Sequence, residues 1–182
     1  MQRHVHVNAI ALTCTAALGD AGIVKDHPNG TVVRTWTRLV RAQQLALAAI
    51  ERRLKAAGLP PLGWYDALLE LERAGQQGLR PFELERAMLL AQYNLSRLLE
   101  RLARAGYIER RPCADDKRGQ VLVITPAGRA MRRRMWAVYG PAMQAAIGDH
   151  LGDAELERLS VLLGTLIEGG DRLSLPAPGR SP

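Results

Sequence analysis

The chain has 182 residues, of which 47% are apolar and 24% charged, and its formal net charge is +7. This length allows one domain with a substantial core, or a small domain with helical extensions, and the composition is that of a soluble globular protein. Two cysteines, Cys14 and Cys113, are too few for a disulfide-stabilised secreted domain and suit a reducing cytoplasm. The sequence contains no phosphate-binding glycine loop, paired-cysteine metal site or nucleophile elbow, so we expect neither an enzyme nor a metal or other cofactor.

The N-terminal segment, residues 1–30, is predicted to be a flexible arm and linker. Residues 5–18 are mildly apolar, but polar residues interrupt them and they are too short to cross a bilayer. They also lack the clean apolar core and the cleavage site of a secretory signal. We therefore expect a cytoplasmic protein without a membrane partner.

A first helix is predicted over residues 31–58, and it carries a seven-residue repeat. The repeat positions, spaced three and four apart, are Val33, Trp36, Val40, Gln43, Leu47, Ile50 and Leu54. Because only one of them is polar, the pattern indicates packing against another helix, in this chain or in a second subunit.

Two shorter helices are predicted next, over Leu62 to Arg73 and Pro81 to Leu89. Proline at the first helical position of the second one costs nothing, since that position has no N–H to satisfy. The inner face of this second helix is predicted to consist of Leu84, Ala87 and Met88. A tight turn then leads into a further helix, which is the arrangement of a helix-turn-helix.

That further helix is predicted over Gln92 to Arg104 and is followed by a hairpin. Its apolar stripe consists of Leu95, Leu98, Leu99 and Leu102. Gly106 ends the helix because glycine readily takes the left-handed conformation of a helix stop. Ile108 to Arg111 and Gln120 to Thr125 are predicted strands, joined by a polar turn at residues 112–119. A helix followed by a basic hairpin is typical of a winged helix.

The positive charge of the chain is concentrated in this region. Between Gln92 and Arg134 there are eleven basic and four acidic residues, an excess equal to the whole net charge of +7. A basic excess confined to one segment indicates a polyanion as partner. The alternative is a solvated helix face without a partner.

The C-terminal part is predicted to be helical. Thr125 and Pro126 begin a helix as N-cap and first-turn residue, which Gly140-Pro141 is expected to kink or break before it resumes to about His150. A final helix starts near Asp153. Its apolar residues are Leu156, Leu159, Leu162, Leu163, Leu166 and Ile167. A lone terminal helix would not keep so many apolar residues exposed, so we expect them to pack on the first helix of the chain or in a dimer.

These motifs resemble the multiple-antibiotic-resistance regulator (MarR) family. The resemblance rests on GLPPLGWYDALLELERA, LSRLLERLARAGYIERR, the Asp116-Lys117-Arg118 turn and ITPAGRA, and it covers about Thr31 to Gly169. It implies a mainly α-helical protein with a small β-hairpin wing, that is, a winged helix-turn-helix domain between N- and C-terminal dimerisation helices. Members are dimeric repressors or activators in bacterial cytoplasm that respond to small, often phenolic or anionic molecules or to thiol oxidation.

The resemblance also assigns residues to DNA contact. The resemblance implies that residues 92–104 form the recognition helix and residues 108–125 the wing. It also implies that Arg118, at the tip of the wing, enters the minor groove. Asp116 would pair with arginine and so stabilise the conformation of the wing. Tyr93-Asn94 departs from the Ser or Thr usual at the start of this helix. The residues predicted to contact DNA are Gln92, Tyr93, Asn94, Ser96, Arg97 and Arg101 in the helix and Arg110, Asp116, Lys117 and Arg118 in the wing.

Signal sensing is assigned less directly. By position, the effector cleft of the family would include Trp36, Trp64, Tyr65 and Asp66, which we predict to bind a small aromatic or anionic effector. The alternative is that the tryptophans, which lie at helical spacing, belong to the hydrophobic core. Cys113 stands in the wing beside Arg110 and Arg111, which would lower its pKa and favour oxidation. An inert thiol is the alternative.

The sequence therefore predicts a ligand-responsive transcriptional regulator, a repressor, that binds a pseudo-palindromic operator as a homodimer. A winged-helix module that binds proteins and no operator, and a thiol-based redox-sensing regulator, are the alternatives. The predicted organisation is an arm at 1–30, a dimerisation helix at 31–58, the DNA-binding domain at 61–125, dimerisation helices at 126–168 and a flexible tail at 169–182.

Overall fold

A computed structural model describes residues 27–89, 94–112 and 119–171. Within these ranges the chain is mainly helical and has one antiparallel hairpin. The elements are α1 (Gly30–Ala56), α2 (Leu62–Ala74), α3 (Pro81–Ala87), α4 (Leu95–Arg104), β1 (Ile108–Pro112), β2 (Gln120–Ile124), α5 (Pro126–Ala146), a 3-10 turn (Gly148–His150) and α6 (Asp153–Asp171). The predicted fold class, a winged helix-turn-helix with flanking helices, is confirmed.

Helix α1 begins with a side-chain cap. The Asn29 Oδ1 atom accepts hydrogen bonds from the backbone N–H groups of Thr31 and Val32, both at 3.0 Å, and so satisfies two donors that the first helical turn leaves open. The chain divides into two units within this helix, between Thr37 and Arg38.

The seven-residue repeat of α1 changes environment along the helix. Near its C-terminus Ile50 and Leu54 are buried in the core, and the Glu51 Oε1 atom accepts from the backbone N–H of Leu62 at 3.0 Å, at the start of α2. Near its N-terminus Val33 and Trp36 are exposed. The repeat therefore supplies core residues at one end only.

The core is centred on α2. Leu68 and Leu71 are fully buried, and the residues packed with them come from α3, α4, the hairpin and α5. The largest of these are Leu84, Leu102, Leu122, Ile124 and Met135. Helix α2 thus provides the surface on which the helix-turn-helix and the hairpin assemble.

Helix α3 is shorter than predicted. The backbone N–H of Arg80 donates to Glu83 Oε2 at 2.7 Å at its N-terminus, and the helix ends at Ala87 because Met88 has extended dihedrals. Leu84 and Met88 are buried as predicted, but the prediction that Ala87 is buried was wrong, since this residue is exposed. A helix of seven residues buries one row of side chains, and Ala87 lies beside that row.

The hairpin pairs Ile108 with Ile124 and Pro112 with Gln120 in antiparallel register. Sequence analysis missed a second, isolated pairing, in which Leu79 exchanges backbone hydrogen bonds with Leu122 at 3.1 and 2.8 Å. This bridge fixes the base of the wing to the segment between α2 and α3. The tip, residues 113–118, lies outside the described residues.

Helix α5 starts as predicted but does not break. The Thr125 Oγ1 atom accepts from the Gly128 N–H at 3.0 Å and donates to the Gly106 carbonyl at 2.7 Å. A kink or a break was expected at Gly140-Pro141, and the break was wrong, because α5 continues through Pro141 to Ala146. Met135 and Ala142 are buried on either side of the proline, so tertiary packing holds the helix together.

Helix α6 has no buried residue among those whose side chains the structure describes, 153–170. Its exposed large apolar residues are Leu159, Val161, Leu162, Leu166 and Ile167. In the described ranges there is no helix, α6 included, with the length and apolar character needed to cross a membrane.

Gly128 is predicted to be indispensable for the junction between the hairpin and α5. A Cβ atom at this position would collide with the Tyr107 carbonyl oxygen and would lie 2.9 Å from the Ile124 side chain. We expect Gly128→Ala to lower the free energy of unfolding by about 1–3 kcal/mol, measured by urea denaturation. Gly169→Ala in α6, where nothing lies within 4 Å of the new Cβ, is the control, and equal effects of the two changes would contradict this account.

Candidate nucleic-acid interface

Helix α4 is held by one face and presents the other to solvent. Leu98, Leu99 and Leu102 are buried in the core. The exposed positions of the helix are Ser96, Arg97, Glu100, Arg101 and Arg104. Since the leucine face fixes the rotation of the helix about its axis, the polar face is presented in one orientation.

The arginines of this exposed face lack ionic partners in the described part of the chain. No carboxylate there lies within 4.0 Å of the guanidinium groups of Arg97, Arg101 or Arg104. Three cations are therefore presented together with a single acidic residue, Glu100, on the same helix. Such a face favours binding of a polyanion.

The two arginines of β1 differ in their surroundings. Arg111 forms an ion pair with Glu109 and donates to the Gln76 side chain at 3.3 Å, so it ties the wing to the turn after α2. Arg110 points to the other face of the strand and is exposed. Of the two, Arg110 is the one that remains available to an external partner.

Asn94 has a structural role that sequence analysis did not predict. Its Oδ1 atom accepts from the backbone N–H of Arg97 at 3.2 Å, and its own backbone is extended, so it is the N-cap of α4. The helix begins at Leu95, and the predicted start at Gln92 was wrong. The N-terminus of α4 lies here because an asparagine side chain readily accepts a hydrogen bond from a backbone N–H group that the first helical turn leaves unpaired.

Several residues predicted to contact DNA lie outside the described ranges. They are Gln92 and Tyr93 before α4 and Asp116, Lys117 and Arg118 at the wing tip. Cys14 and Cys113 lie outside them as well. These assignments stay predictions.

An open cleft of about 290 Å³ lies between α2 and α5. Its aromatic residues are Tyr65, Trp136 and Tyr139. The Tyr65 and Trp136 rings are stacked, with centroids 5.9 Å apart and planes 21° from parallel. The Tyr139 ring stands nearly perpendicular to both, 5.1 Å from Tyr65 and 5.7 Å from Trp136. Leu89, in the segment between α3 and α4, also lines the cleft.

One buried acid, Asp66, lies in the wall of this cleft with 6% of its surface exposed. Burial raises the pKa of the Tyr139 phenol above its ordinary value, and electrostatic interactions with Tyr65 and Asp66 raise it further. The phenol of Tyr139 therefore stays neutral at physiological pH.

The basic residues near the cleft are paired with acids. Arg73 lines the cleft and donates to Glu70 at 2.7 Å. Arg132 forms an ion pair with Glu72, which joins α5 to α2, and its guanidinium carbon lies 6.0 Å from the centroid of the Tyr65 ring. Both arginines thus already contact carboxylates of α2.

The predicted effector residues separate in the structure. Tyr65 and Asp66 line the cleft, but Trp64 does not, because its ring packs edge-on against Tyr107 with centroids 5.9 Å apart. Trp64 therefore does not line this cleft, and its assignment to an effector site stays a prediction. Trp36 lies in the first unit and is 66% exposed.

Sequence analysis missed the contribution of α5 to the cleft, which comes from Trp136, Tyr139 and Met143. Their spacing of three and four residues places them on one face of a helix. That spacing was a usable signal, but the expected break at Pro141 separated Met143 from the other two.

Comparisons with known proteins agree with this architecture. The sequence profile of the MarR family matches residues 57–119, which include the helix-turn-helix and the first strand of the wing. The multiple antibiotic resistance protein MarR of Salmonella typhimurium is 31% identical over 87 residues, 48% of this chain and 60% of that protein, and MarR of Salmonella typhi matches equally. The chain is thus similar to MarR family proteins over its winged-helix region.

Solved structures of MarR proteins extend the similarity beyond the matched sequence. Sco3205, a MarR family transcriptional regulator from Streptomyces coelicolor in complex with DNA, is 26% identical with a TM-score of 0.69, covering 79% of this chain and 93% of that one. A mutant of MarR from E. coli complexed with operator DNA has 22% identity and a TM-score of 0.63, over 77% and 99% of the two chains. This second likeness shows the fold alone. The fold is therefore one that solved MarR family transcriptional regulators share.

The cap of α4 gives a prediction about the free protein. We expect Asn94→Ala to lower the free energy of unfolding by about 1 kcal/mol because it leaves the Arg97 N–H without its acceptor. Thermal or urea denaturation without DNA measures this. Asn94→Ser retains a capping oxygen and should cost much less, whereas an Asn94→Ala protein as stable as wild type would show that the cap contributes nothing.

Proposed function

We propose that this protein is a DNA-binding transcriptional regulator that acts as a homodimer and represses its target genes. The observation that carries the proposal is the exposed face of α4, where Arg97, Arg101 and Arg104 lack acidic partners among the described residues. The similarity to Sco3205, which was solved in complex with DNA, supports it. The matched stretch spans 60% of the length of the Salmonella relatives, so activity and partners belong to the proposal.

In the proposed complex α4 lies in the major groove and the wing reaches the minor groove. Arg97 reads a guanine edge, Ser96 contacts phosphate, and the arginines further along the helix contribute to charge neutralisation. Arg118 enters the narrow minor groove, whose negative potential attracts a planar guanidinium. The bridge between Leu79 and Leu122 and the Arg111–Gln76 bond support this by fixing the base of the wing.

The dimer is proposed to form from the N- and C-terminal helices. In support, α6 keeps five large apolar side chains at least 38% exposed, and the N-terminal end of α1 exposes Val33 and Trp36. Monomeric soluble proteins rarely expose contiguous apolar surfaces of this kind to water. A two-fold dimer would bind a pseudo-palindromic operator with half-sites about one helical turn apart.

Control of repression is proposed to come from a small aromatic effector bound in the cleft between α2 and α5. The aromatic walls suit such a ligand. Leu89 lies in that wall and only five residues before the Asn94 cap. A ligand that displaces Leu89 would therefore move the start of α4 and alter DNA binding.

DNA binding is tested with the duplex upstream of the gene, by gel shift and by a salt titration. We expect the logarithm of the binding constant to fall linearly with the logarithm of salt concentration, with a slope of about −0.9 per phosphate contacted. Arg97→Ala, Arg101→Ala and Arg118→Ala should each weaken binding, and loss of a guanine contact costs about 1–3 kcal/mol.

The control is Arg158→Ala, which removes the same charge from an exposed position of α6. It should leave the binding constant within error of wild type. If no duplex binds at low salt, the protein is not an operator-binding regulator, and the protein-interaction alternative takes its place. If Arg118→Ala binds as tightly as wild type, the wing has no role in the minor groove.

The dimer is tested by placing charge on the apolar face of α6. Leu159→Glu combined with Leu166→Glu should convert a dimer to a monomer, because two carboxylates would have to be desolvated in the interface. Light scattering coupled to size-exclusion chromatography measures the mass. Arg158→Glu introduces a carboxylate away from this row and should remain dimeric, and a double variant of unchanged mass would place the interface elsewhere.

A further inference from the structure

The exposed face of α4 contains one acid among its arginines. Glu100 stands about 200° around the helix axis from Leu98, so it projects away from the leucines that are buried in the core. Arg97 lies three residues before it and Arg104 four residues after it. The outward row of α4 therefore alternates in charge, with a carboxylate between two guanidinium groups.

Glu100 has no ionic partner among the residues that the structure describes. Its two neighbouring arginines stand at the spacings at which helical ion pairs form. Nevertheless, no cation of the described ranges lies within 4.0 Å of its carboxylate. A pair within the helix would account for this acid as a local stabilising residue, and the described part of the chain contains no such pair.

A carboxylate on a face that binds DNA opposes binding unless it meets a hydrogen-bond donor. Phosphate groups repel it, and so do the acceptor atoms on the edges of most bases. In the major groove guanine presents two acceptors, thymine an acceptor and a methyl group, and adenine an acceptor beside its amino group. Cytosine presents its N4 amino group as a donor alone. A glutamate in the major groove therefore favours cytosine and disfavours the other three bases.

The position of Glu100 along α4 suits contact with a base. It is the sixth residue of the helix, one turn beyond Arg97, which is proposed to read a guanine edge. Three residues advance the helix by about 4.5 Å along its axis, compared with about 3.4 Å between successive base pairs. The two side chains can thus reach neighbouring base pairs, where an acceptor edge compensates the cation and a donor edge compensates the acid.

We propose that Glu100 is a specificity-determining residue that accepts a hydrogen bond from the N4 amino group of a cytosine in each half-site. The inference rests on the proposed operator binding and deepens it, because it names a base that the site selects. The arginines of α4 provide affinity for any duplex, and Glu100 lowers that affinity where cytosine is absent. The acid therefore acts against wrong sequences as well as in favour of the right one.

The test compares the base preference of the full-length wild-type protein with that of two Glu100 variants. The operator is located by footprinting the upstream duplex, and each base pair of one half-site is then replaced in turn. We expect a C·G pair whose replacement weakens wild-type binding about tenfold, and Glu100→Ala should bind all four bases equally at that position. Glu100→Gln should prefer adenine there, because an amide pairs with the N6 and N7 atoms of adenine.

Binding to an unrelated duplex separates base reading from a simple effect of charge. Glu100→Gln should bind such a duplex about threefold more tightly than wild type, because a carboxylate no longer faces the phosphates. Glu85→Gln is the matched control, since it removes the same charge from an exposed position of α3 and should leave the order of preferred bases unchanged. If the two Glu100 variants keep the base preferences of wild type, the proposal is overturned.

A change on the DNA side gives a second test that needs no protein variant. N4-methylcytosine still pairs with guanine, but a methyl group replaces the N–H that faces the major groove. Placed at each cytosine of the half-site in turn, it should weaken wild-type binding about tenfold at one of them. Wild-type protein that binds every modified duplex as tightly as the unmodified one would overturn the proposal.

Failure of this inference is distinguishable from failure of the proposed function. If the wild type binds no duplex at low salt, operator binding and the cytosine contact fail together. If it binds an operator with base preferences that neither Glu100 nor the N4 amino groups affect, operator binding stands and only the cytosine contact is contradicted.

Discussion

The burial of three leucines of α4, Leu98, Leu99 and Leu102, is the constraint on which the exposed arginine face depends. A helix held by one apolar stripe has little freedom to rotate, because rotation would expose that stripe to water. The residues between the leucines are then directed outward by helical geometry alone. The cap at Asn94 and the stop at Gly106, where φ is +73°, fix its two ends. The face proposed to bind DNA is therefore a consequence of how the other face is packed.

The cleft and α4 share the same support, and the proposed effect of a ligand on DNA binding depends on it. Helix α2 supplies Tyr65 and Asp66 to the cleft and Leu68 and Leu71 to the core that holds α4. The Arg132–Glu72 ion pair joins α2 to α5. Leu89, which follows α3, also lines the cleft.

The errors of sequence analysis share one physical cause. Gly140-Pro141 was expected to kink or break α5, but the helix continues through it, with buried residues on both sides. Ala87 was expected to be buried, but the short helix α3 leaves it exposed. In each case an intrinsic preference or a residue type was considered without its tertiary neighbours, and the neighbours decided the outcome.

The sequence by itself determined the helix-stop-hairpin order, because leucines at helical spacing, Gly106 and Thr125-Pro126 act through local geometry. It also determined where the positive charge is concentrated. Only the tertiary structure decided which arginines of β1 are paired, how the Leu79–Leu122 bridge anchors the wing, and which rings meet in the cleft. Those outcomes depend on contacts between residues far apart in the chain, and no local pattern specifies such contacts.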